Sequence, residues 1–294
     1  MKDTQASPQI LSSPDHSLWG QTRRGLWDNK LALIGLSFVC LISILCLLAP
    51  WIAPHSHYEI NLEIGPTSPS LDHWLGTDIL GRDLFSRILY GGRVSLMVGI
   101  AATLVALIIG VSYGTISGLA GGKTDRLMMR LVEIFYALPF TIFVILLTVI
   151  FGRRIELIFI AIGAVEWLTL ARIIRGQAFA LKGQEFIQVA RVMGQGSGNI
   201  ILKHLLPNLM GTIVVYTTLT IPNVMLLEAF ISFLGLGIQA PDTSWGLLIK
   251  EGAESMEEYP WLLIFPSLVF SSVLFSLNFL GDGLRDILDP KRSC

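Results

Sequence analysis

Residues 94–118 read VSLMVGIAATLVALIIGVSYGTISG, a long apolar run without a charged side chain. About 20 apolar residues suffice to cross the hydrocarbon layer of a membrane as a helix. Four further long runs are similarly apolar, of which Leu209–Phe233 contains one charged residue, Glu228: Leu31–Ile52, Ile134–Phe151, Leu209–Phe233 and Leu262–Leu280. The sequence therefore predicts an all-α membrane protein, because helices satisfy their own backbone hydrogen bonds in lipid.

The composition of the 294 residues agrees with a lipid environment. Hydrophobic residues make up 52% of the chain and charged residues 15%, whereas soluble domains carry roughly 25% charged residues. Disorder is excluded because disordered chains combine low hydrophobicity with high charge. The net charge of −1 lacks the excess of Lys and Arg that nucleic-acid binding needs. Three cysteines are too few for a disulfide scaffold.

A sixth apolar run, Ile155–Ala171, is weaker because it contains Glu156 and Glu166. Lys and Arg concentrate on the cytoplasmic side of membrane proteins, so their distribution tests the number of spans. With six spans and a cytoplasmic N-terminus, most of the 21 Lys and Arg residues lie inside, whereas five spans place most of them outside. The sequence therefore predicts six transmembrane helices with both termini cytoplasmic.

These spans divide the chain into a tail, an anchor, an external loop and a core. The cytoplasmic tail, residues 1–30, includes a predicted interfacial helix at Leu18–Leu26, where Trp19 and Trp27 lie beside Arg23 and Arg24. The other predicted segments are 31–54 (first span), 55–93 (external loop), 94–290 (transmembrane core, with spans 94–118, 134–151, 155–171, 208–233 and 262–280 and a cytoplasmic loop at 172–207) and 281–294 (cytoplasmic C-terminal tail).

The second half of the external loop, residues 73–83, reads HWLGTDILGRD. Its glycines and small polar residues predict turns, and Asp83 is placed to cap a short amphipathic helix at Leu84–Tyr90. A hydrolytic alternative would use carboxylates and a histidine for acid–base chemistry; its candidates are Asp72, His73, Asp78 and Asp83. Turn formation and capping explain each of them, so we expect no catalytic and no metal-binding residues here.

The segment Gly121-Gly122-Lys123-Thr124 is similar to the end of a phosphate-binding loop. The full motif requires a glycine five residues before Gly122, where this chain has Ser117, and it follows a strand, not a membrane helix. The sequence therefore predicts no nucleotide site and no cofactor in this chain.

Between the fourth and fifth spans, Gln184–Met193 has the pattern of a short amphipathic helix. Residues predicted to share its apolar face are Phe186, Val189, Ala190 and Met193. Three glycines in Gly194–Gly198 end that helix and reverse the chain. A second short helix, Asn199–Leu206, precedes Pro207 in the first turn of the fifth span. The apolar face either lies on lipid or docks a soluble partner.

Here the individual residues resemble a known family. Glu185-Phe186-Ile187-Gln188-Val189-Ala190, Gly194 and Leu206-Pro207 resemble the cytoplasmic "EAA" loop in membrane subunits of ABC-type importers. Four other stretches look like the peptide-importer branch, which includes dipeptide, oligopeptide and nickel systems: 76–87, 232–237, 244–246 and 281–290. Gln188 and Val189 depart from the Glu and Ala of the loop's name.

The resemblance implies the architecture of a type I ABC importer permease in the bacterial inner membrane. Such a chain is a non-catalytic half of a pore for oligopeptides, paired with a homologous second permease. Its other partners are two cytoplasmic ATPases, which bind ATP and Mg, and a periplasmic peptide-binding protein. The helix that would couple to the ATPases comprises Glu185, Phe186, Gln188, Val189, Ala190 and Met193, with Gly194 and Pro207 behind it. Cargo length stays open, because related importers share these motifs.

The fifth span contains Pro222, Asn223 and Glu228. We expect Asn223 and Glu228 to face the translocation path near its outer end, where they would offer weak contacts to peptide amides. The alternative is that Glu228 reaches external water from the membrane interface. A secondary transporter would instead show ionisable residues near mid-span and internal repeats, and a membrane enzyme would show a metal-ligand or nucleophile–base cluster. Neither pattern is evident.

Overall fold

The computed structural model describes residues 25–151, 155–239 and 241–288, and helices dominate them. Among the described residues the β-structure is an isolated bridge between Thr77 and Asp83. The predicted interfacial helix at Leu18–Leu26 lies outside the described residues except for its last two positions. The helices are α1 (Lys30–Leu47), α2 (Ala49–Ile52), α3 (Leu84–Ala120), α4 (Gly122–Tyr136), α5 (Phe140–Phe151), α6 (Ile155–Lys182), α7 (Glu185–Val192), α8 (Ser197–Ile200), a π-helical turn (Ile201–Leu205), α9 (Leu206–Phe233), α10 (Trp245–Glu254) and α11 (Trp261–Leu288).

Four helical stretches of the described chain are long and apolar enough to cross a membrane: α1, α3, the continuous stretch Ser197–Phe233, and α11. A fifth is added if the bent pair α4 and α5 counts as one span. The helical class is therefore confirmed, with four or five candidate spans among the described residues. The sixth span and the cytoplasmic placement of both termini stay predictions.

The predicted span Ile134–Phe151 is not one continuous helix. Helix α4 ends at Tyr136 and α5 begins at Phe140, and the two helices are bent by 78°. Pro139 explains the break, because proline has no backbone N–H and its ring disfavours helical geometry at the preceding residue.

The opposite correction applies to the predicted helix Leu84–Tyr90, which is the first part of the 37-residue helix α3. Its predicted cap is confirmed: the Asp83 Oδ2 atom accepts hydrogen bonds from the Ser86 backbone N at 2.8 Å and from Ser86 Oγ at 2.7 Å. Gly91 and Gly92 do not interrupt the helix. They let α10 approach, since a Cβ atom on Gly92 would lie 2.6 Å from the Trp245 ring.

Helices α3 and α6 pack closely because α3 carries glycine at every fourth position. These residues are Gly110, Gly114 and Gly118. A Cβ atom on Gly114 would lie 2.6 Å from the Ala171 carbonyl oxygen of α6. Small residues at this spacing allow membrane helices to approach at backbone distance, where dispersion replaces the missing hydrophobic drive. This contact fixes the frame from which α7 projects.

Candidate functional site

The candidate coupling segment, residues 183–207, connects α6 to α9. Glu185 lies in the first turn of α7 and Arg191 in the last, and both charges suit the helix dipole. The helix ends at Val192, and Gly194, two residues beyond it, has a φ of +79°. There the Gly194 backbone N donates to the Arg191 carbonyl at 2.9 Å and the Gln195 N donates to the Ala190 carbonyl at 3.0 Å. Of the three glycines predicted to stop the helix, only Gly194 has a positive φ.

One face of α7 is anchored in the protein interior. Ile187 and Ala190 are buried and pack in a cluster that joins the neighbouring ends of α3, α6 and α9. The other buried members of this cluster are Leu119, Leu170, Ile174, Ala178, Ile200, Leu205, Leu209 and Ile213. Helix α7 is therefore fixed to three long helices, and a force on it reaches all of them.

The other face of α7 exposes apolar side chains. Val192 is 89% exposed, Met193 74%, Val189 55% and Phe186 40%. These four residues form the apolar edge of α7. The sequence prediction was wrong for Ala190, which is 3% exposed and points inward, and it missed Val192. In a helix of eight residues, helical periodicity is compatible with either of two adjacent apolar stripes as the buried face. The packing against α3 and α6 decides which of the two stripes of α7 is buried.

Polar contacts hold the rest of this segment. The Gln188 side-chain amide donates to the Gly183 carbonyl at 3.1 Å, and Arg191 donates to the Leu119 carbonyl at 3.4 Å. Glu185 is exposed. Pro207 lies in the first turn of α9, as predicted. The predicted helix Asn199–Leu206 is not separate, because α8 and the π-helical turn run directly into α9.

A polar cluster joins the α3–α4 turn to α6. Asp125 accepts a hydrogen bond from Arg175 Nε at 2.8 Å and one from Ser117 Oγ at 2.7 Å. The Arg175 guanidinium, ahead of the Ser117 hydroxyl, holds the pKa of the Asp125 carboxyl below its usual value. The sequence analysis did not single out this cluster. In the sequence, the indication of this cluster is a carboxylate, Asp125, within a basic loop.

The two predicted path residues lie on different sides of α9. Asn223 is exposed, on the same helical face as Leu226, Phe230 and Phe233. Glu228 is fully buried within the chain. Five residues at 100° each put the two side chains about 140° apart on a helix, so they cannot share a face.

Glu228 joins three parts of the chain through hydroxyl groups. Its carboxylate accepts hydrogen bonds from Ser232 Oγ at 2.7 Å, Ser244 Oγ at 2.8 Å and Ser95 Oγ at 3.3 Å. Ser244 also caps α10 by accepting from the Leu247 backbone N. The Trp245 backbone N donates to Ser95 Oγ at 3.1 Å. Glu228 therefore positions α10, a helix that the sequence analysis did not predict, against α3 and α9.

An ion cluster lies beside α10. The Asp78 Oδ2 atom accepts from Arg87 Nη1 at 2.6 Å and from Arg82 Nε at 2.7 Å. The same Arg87 nitrogen donates to Glu251 at 2.6 Å. Each charge has an opposite partner, which is the condition for burying charges at low cost. Asp78 therefore has a structural role and not the hydrolytic one considered above.

His73 and Asp83 form a similar structural pair, since the His73 Nδ1 atom lies 2.9 Å from Asp83 Oδ1. The possible ligand atoms of His55, His73 and Asp83 lie within 4.8 Å of one another. The sequence analysis expected no such group. Each of these residues already has a hydrogen-bond partner. His73 and Asp83 pair with each other, and the His55 Nε2 atom lies 3.0 Å from the Asp72 carbonyl.

Comparisons with known proteins agree with this architecture. Residues 110–293 match the family described as "Binding-protein-dependent transport system inner membrane component". Residues 17–68 match the "N-terminal TM domain of oligopeptide transport permease C". The solved structure of the MetNI methionine ABC transporter in inward-facing conformations has a chain similar in fold, with a TM-score of 0.58 at 18% identity, over 69% of this chain and 97% of that one.

Curated relatives are similar over nearly the whole chain. The oligopeptide transport system permease protein OppC of Haemophilus influenzae is 50% identical over 277 residues, which is 94% of this chain and 89% of that protein. The protein of the same name in Escherichia coli K12 is 48% identical, over 96% of this chain and 94% of its own length. The dipeptide transport system permease protein DppC of Bacillus subtilis is 44% identical, over 96% and 88%.

The fold and these matches define a multi-pass membrane component of an ABC transport system. The chain belongs to the family of binding-protein-dependent transport system inner membrane components. Its predicted role as a non-catalytic permease subunit is thereby confirmed.

Proposed function

We propose that this chain forms half of the pore in an ATP-driven importer of oligopeptides in the bacterial inner membrane. The other half is a homologous permease, two cytoplasmic ATPases bind ATP and Mg, and a periplasmic protein delivers the peptide. The family match and relatives named as oligopeptide permeases support the cargo. A relative named as a dipeptide permease, at 44% identity, makes cargo length the first quantity to measure.

The observation that carries the coupling mechanism is the two-sided environment of α7. Ile187 and Ala190 fix the helix to α3, α6 and α9, whereas the apolar edge faces away from the chain. An exposed apolar edge next to a buried anchor suits a docking helix that enters a groove on another protein. When two ATPases close on ATP, they would move α7 as a rigid body and tilt the helices behind it.

The face of α9 that carries Asn223 is the proposed path surface. Its exposed Leu226 and Phe230 offer sequence-tolerant apolar contacts, and the Asn223 amide can hydrogen-bond a peptide backbone. Weak contacts suit a transporter, because tightly bound cargo would not leave. Glu228 would support this surface from behind by fixing α9 to α10.

The proposed topology keeps six spans and two cytoplasmic termini. Its third span is 134–151, which crosses the bend between α4 and α5, and its fourth is 155–171, the first part of α6. Single cysteines at Ser68 and Ser197 in the assembled transporter should react with an impermeant thiol reagent from opposite sides, Ser68 from outside. Reaction of both from one side would contradict the topology.

Uptake by a strain that lacks its own permease tests the proposal. Val189→Asp places a charge on the apolar edge and should abolish uptake of tripeptides and longer peptides, although the chain still inserts. Leu71→Asp is the matched control, because Leu71 is a 95% exposed apolar residue in the external loop. The ATPases should co-purify with the control and be lost from Val189→Asp. Normal uptake and normal co-purification with Val189→Asp would refute the docking assignment.

A further inference from the structure

A basic cavity of about 1060 Å³ lies between α4 and α6, beside the α3–α4 turn. Five cationic side chains line it: Lys123, Arg126, Arg130, Arg172 and Arg175. Only two carboxylates do so, Asp125 and Glu133. The cavity therefore has a surplus of positive charge, and it lies apart from the apolar edge of α7 and from the Asn223 face of α9.

Most of this positive charge is not neutralised within the described part of the chain. Arg175 is paired with Asp125, and Arg172 lies over the Tyr136 ring at 4.1 Å. Lys123, Arg126 and Arg130 are exposed and form no ion pair with a carboxylate of residues 25–151, 155–239 or 241–288. Three exposed cations on successive turns of one helix can bond several oxygens at once. They therefore suit an oxyanion such as phosphate better than a single carboxylate.

An apolar stripe runs beside these cations on α4. Leu127 is 67% exposed, Leu131 46% and Ile134 56%. These positions are each one residue after Arg126, Arg130 and Glu133, so the charged and apolar stripes are adjacent along the helix. A free anion has no use for the apolar stripe, whereas a phospholipid presents a phosphate and acyl chains at this spacing. Basic pockets between membrane helices on the cytoplasmic side are a known type of headgroup site.

We propose that this cavity binds the phosphate headgroup of an anionic phospholipid of the cytoplasmic leaflet, with its acyl chains along Leu127, Leu131 and Ile134. This inference rests on the proposed topology, which puts the α3–α4 turn in the cytoplasm. The bound lipid would fix α4 relative to α6, next to the 78° bend before α5. The lipid composition would thereby influence how easily this broken span moves during transport.

The test uses the complete transporter, purified in detergent and analysed by native mass spectrometry with added phosphatidylglycerol. Arg126→Gln combined with Arg130→Gln should lower the apparent affinity for that lipid about fivefold per charge, or about 1 kcal/mol each. The combination Arg126→Lys and Arg130→Lys keeps the charge and should retain the lipid. Arg285→Gln is the matched control, because Arg285 is an exposed cation of α11 outside the cavity.

Two results would overturn the proposal. One is equal retention of phosphatidylglycerol by the Gln double variant and the unaltered transporter. The other is displacement of the lipid by millimolar inorganic phosphate, which would indicate a site for a free oxyanion. Peptide uptake in vesicles of phosphatidylcholine, with and without phosphatidylglycerol, separates this failure from that of the proposed function. Uptake without anionic lipid leaves the function standing when the lipid site fails, and absence of uptake in every vesicle refutes the function.

Discussion

Two regions of the molecule contrast. In the region beside α10, here called the α10 end, Asp78 and Arg87 are buried and paired with each other. In the region of α7, here called the α7 end, Val189, Val192 and Met193 are exposed. Charges are costly to bury and apolar groups are costly to expose, so the two ends represent opposite solutions. The α10 end satisfies its groups within one chain. The α7 end leaves its apolar groups exposed in this chain, as the proposed docking surface requires. The predictions below test this contrast, beginning with the largest expected effect.

The largest effect is expected from Arg87→Met. Removing this guanidinium leaves Arg82 as the remaining basic partner of Asp78. It also removes the closest basic partner of Glu251. Loss of one partner of a buried charge pair costs about 3–5 kcal/mol of stability. Thermal unfolding of the purified chain should show the loss.

Lys250→Met is the control within α10. Its partner Glu254 is 65% exposed, and such surface pairs contribute about 0–1 kcal/mol. A similar fall in unfolding temperature for both variants would mean that the buried ion cluster does not stabilise the α10 end.

Glu228→Leu should cost about 1–2 kcal/mol, because the Ser95 and Ser244 hydroxyl groups of other segments and the Ser232 hydroxyl of α9 lose an acceptor, and hydrogen bonds between membrane helices average about 0.6 kcal/mol each. Glu228→Gln retains an acceptor oxygen and should cost less than about 1 kcal/mol. Thr218→Val in the same helix is the control, since Thr218 bonds only the Val214 carbonyl within α9. Unfolding measurements that rank Leu and Gln equally would contradict the network.

Apolar runs predicted the spans because long hydrophobic segments have few alternatives to crossing lipid as helices. Local chemistry also predicted the Asp83 cap and the first-turn position of Pro207. The break at Pro139 was predictable too, since proline excludes a continuous helix there, but hydropathy alone concealed it. The opposite positions of Asn223 and Glu228 follow from helical periodicity alone.

Other features depend on distant parts of the chain and could not be predicted from local sequence. Gly91-Gly92 has the local character of a helix break, but it lies inside a helix. The absence of side chains there leaves space for Trp245. Ala190 is buried only because α3 and α6 supply the surface that covers it. Glu228 is satisfied by Ser95, which lies 133 positions away. The sequence analysis did not predict α10, so it offered no buried partner for the Glu228 carboxylate.

A smaller effect, about 1 kcal/mol, is expected from Gly194→Ala, because an L residue at a φ of +79° is strained. Gly198→Ala is a close control: a Cβ atom meets nothing within 4 Å at either position, but Gly198 is helical with no positive φ. We expect reduced peptide-stimulated ATPase activity of the assembled transporter for Gly194→Ala only. Equal activity of both variants would show that the end of α7 does not depend on this backbone geometry.

The smallest effect concerns pH and the Asp125–Arg175 pair. The hydrogen bond from Arg175 lowers the pKa of Asp125 in the folded chain, so the pair contributes stability that is present above the unfolded pKa and lost as pH falls through the folded pKa. Arg175 is 36% exposed, and solvent screening limits the contribution to about 1 kcal/mol or less. Asp125→Asn should therefore lower the unfolding temperature at neutral pH, and its difference from the unaltered chain should shrink below about pH 4. Asp242→Asn, at an exposed carboxylate between α9 and α10, controls for general acid effects. A difference for Asp125→Asn that stays constant from neutral to acidic pH would show that the pair stabilises through packing and not through its charge.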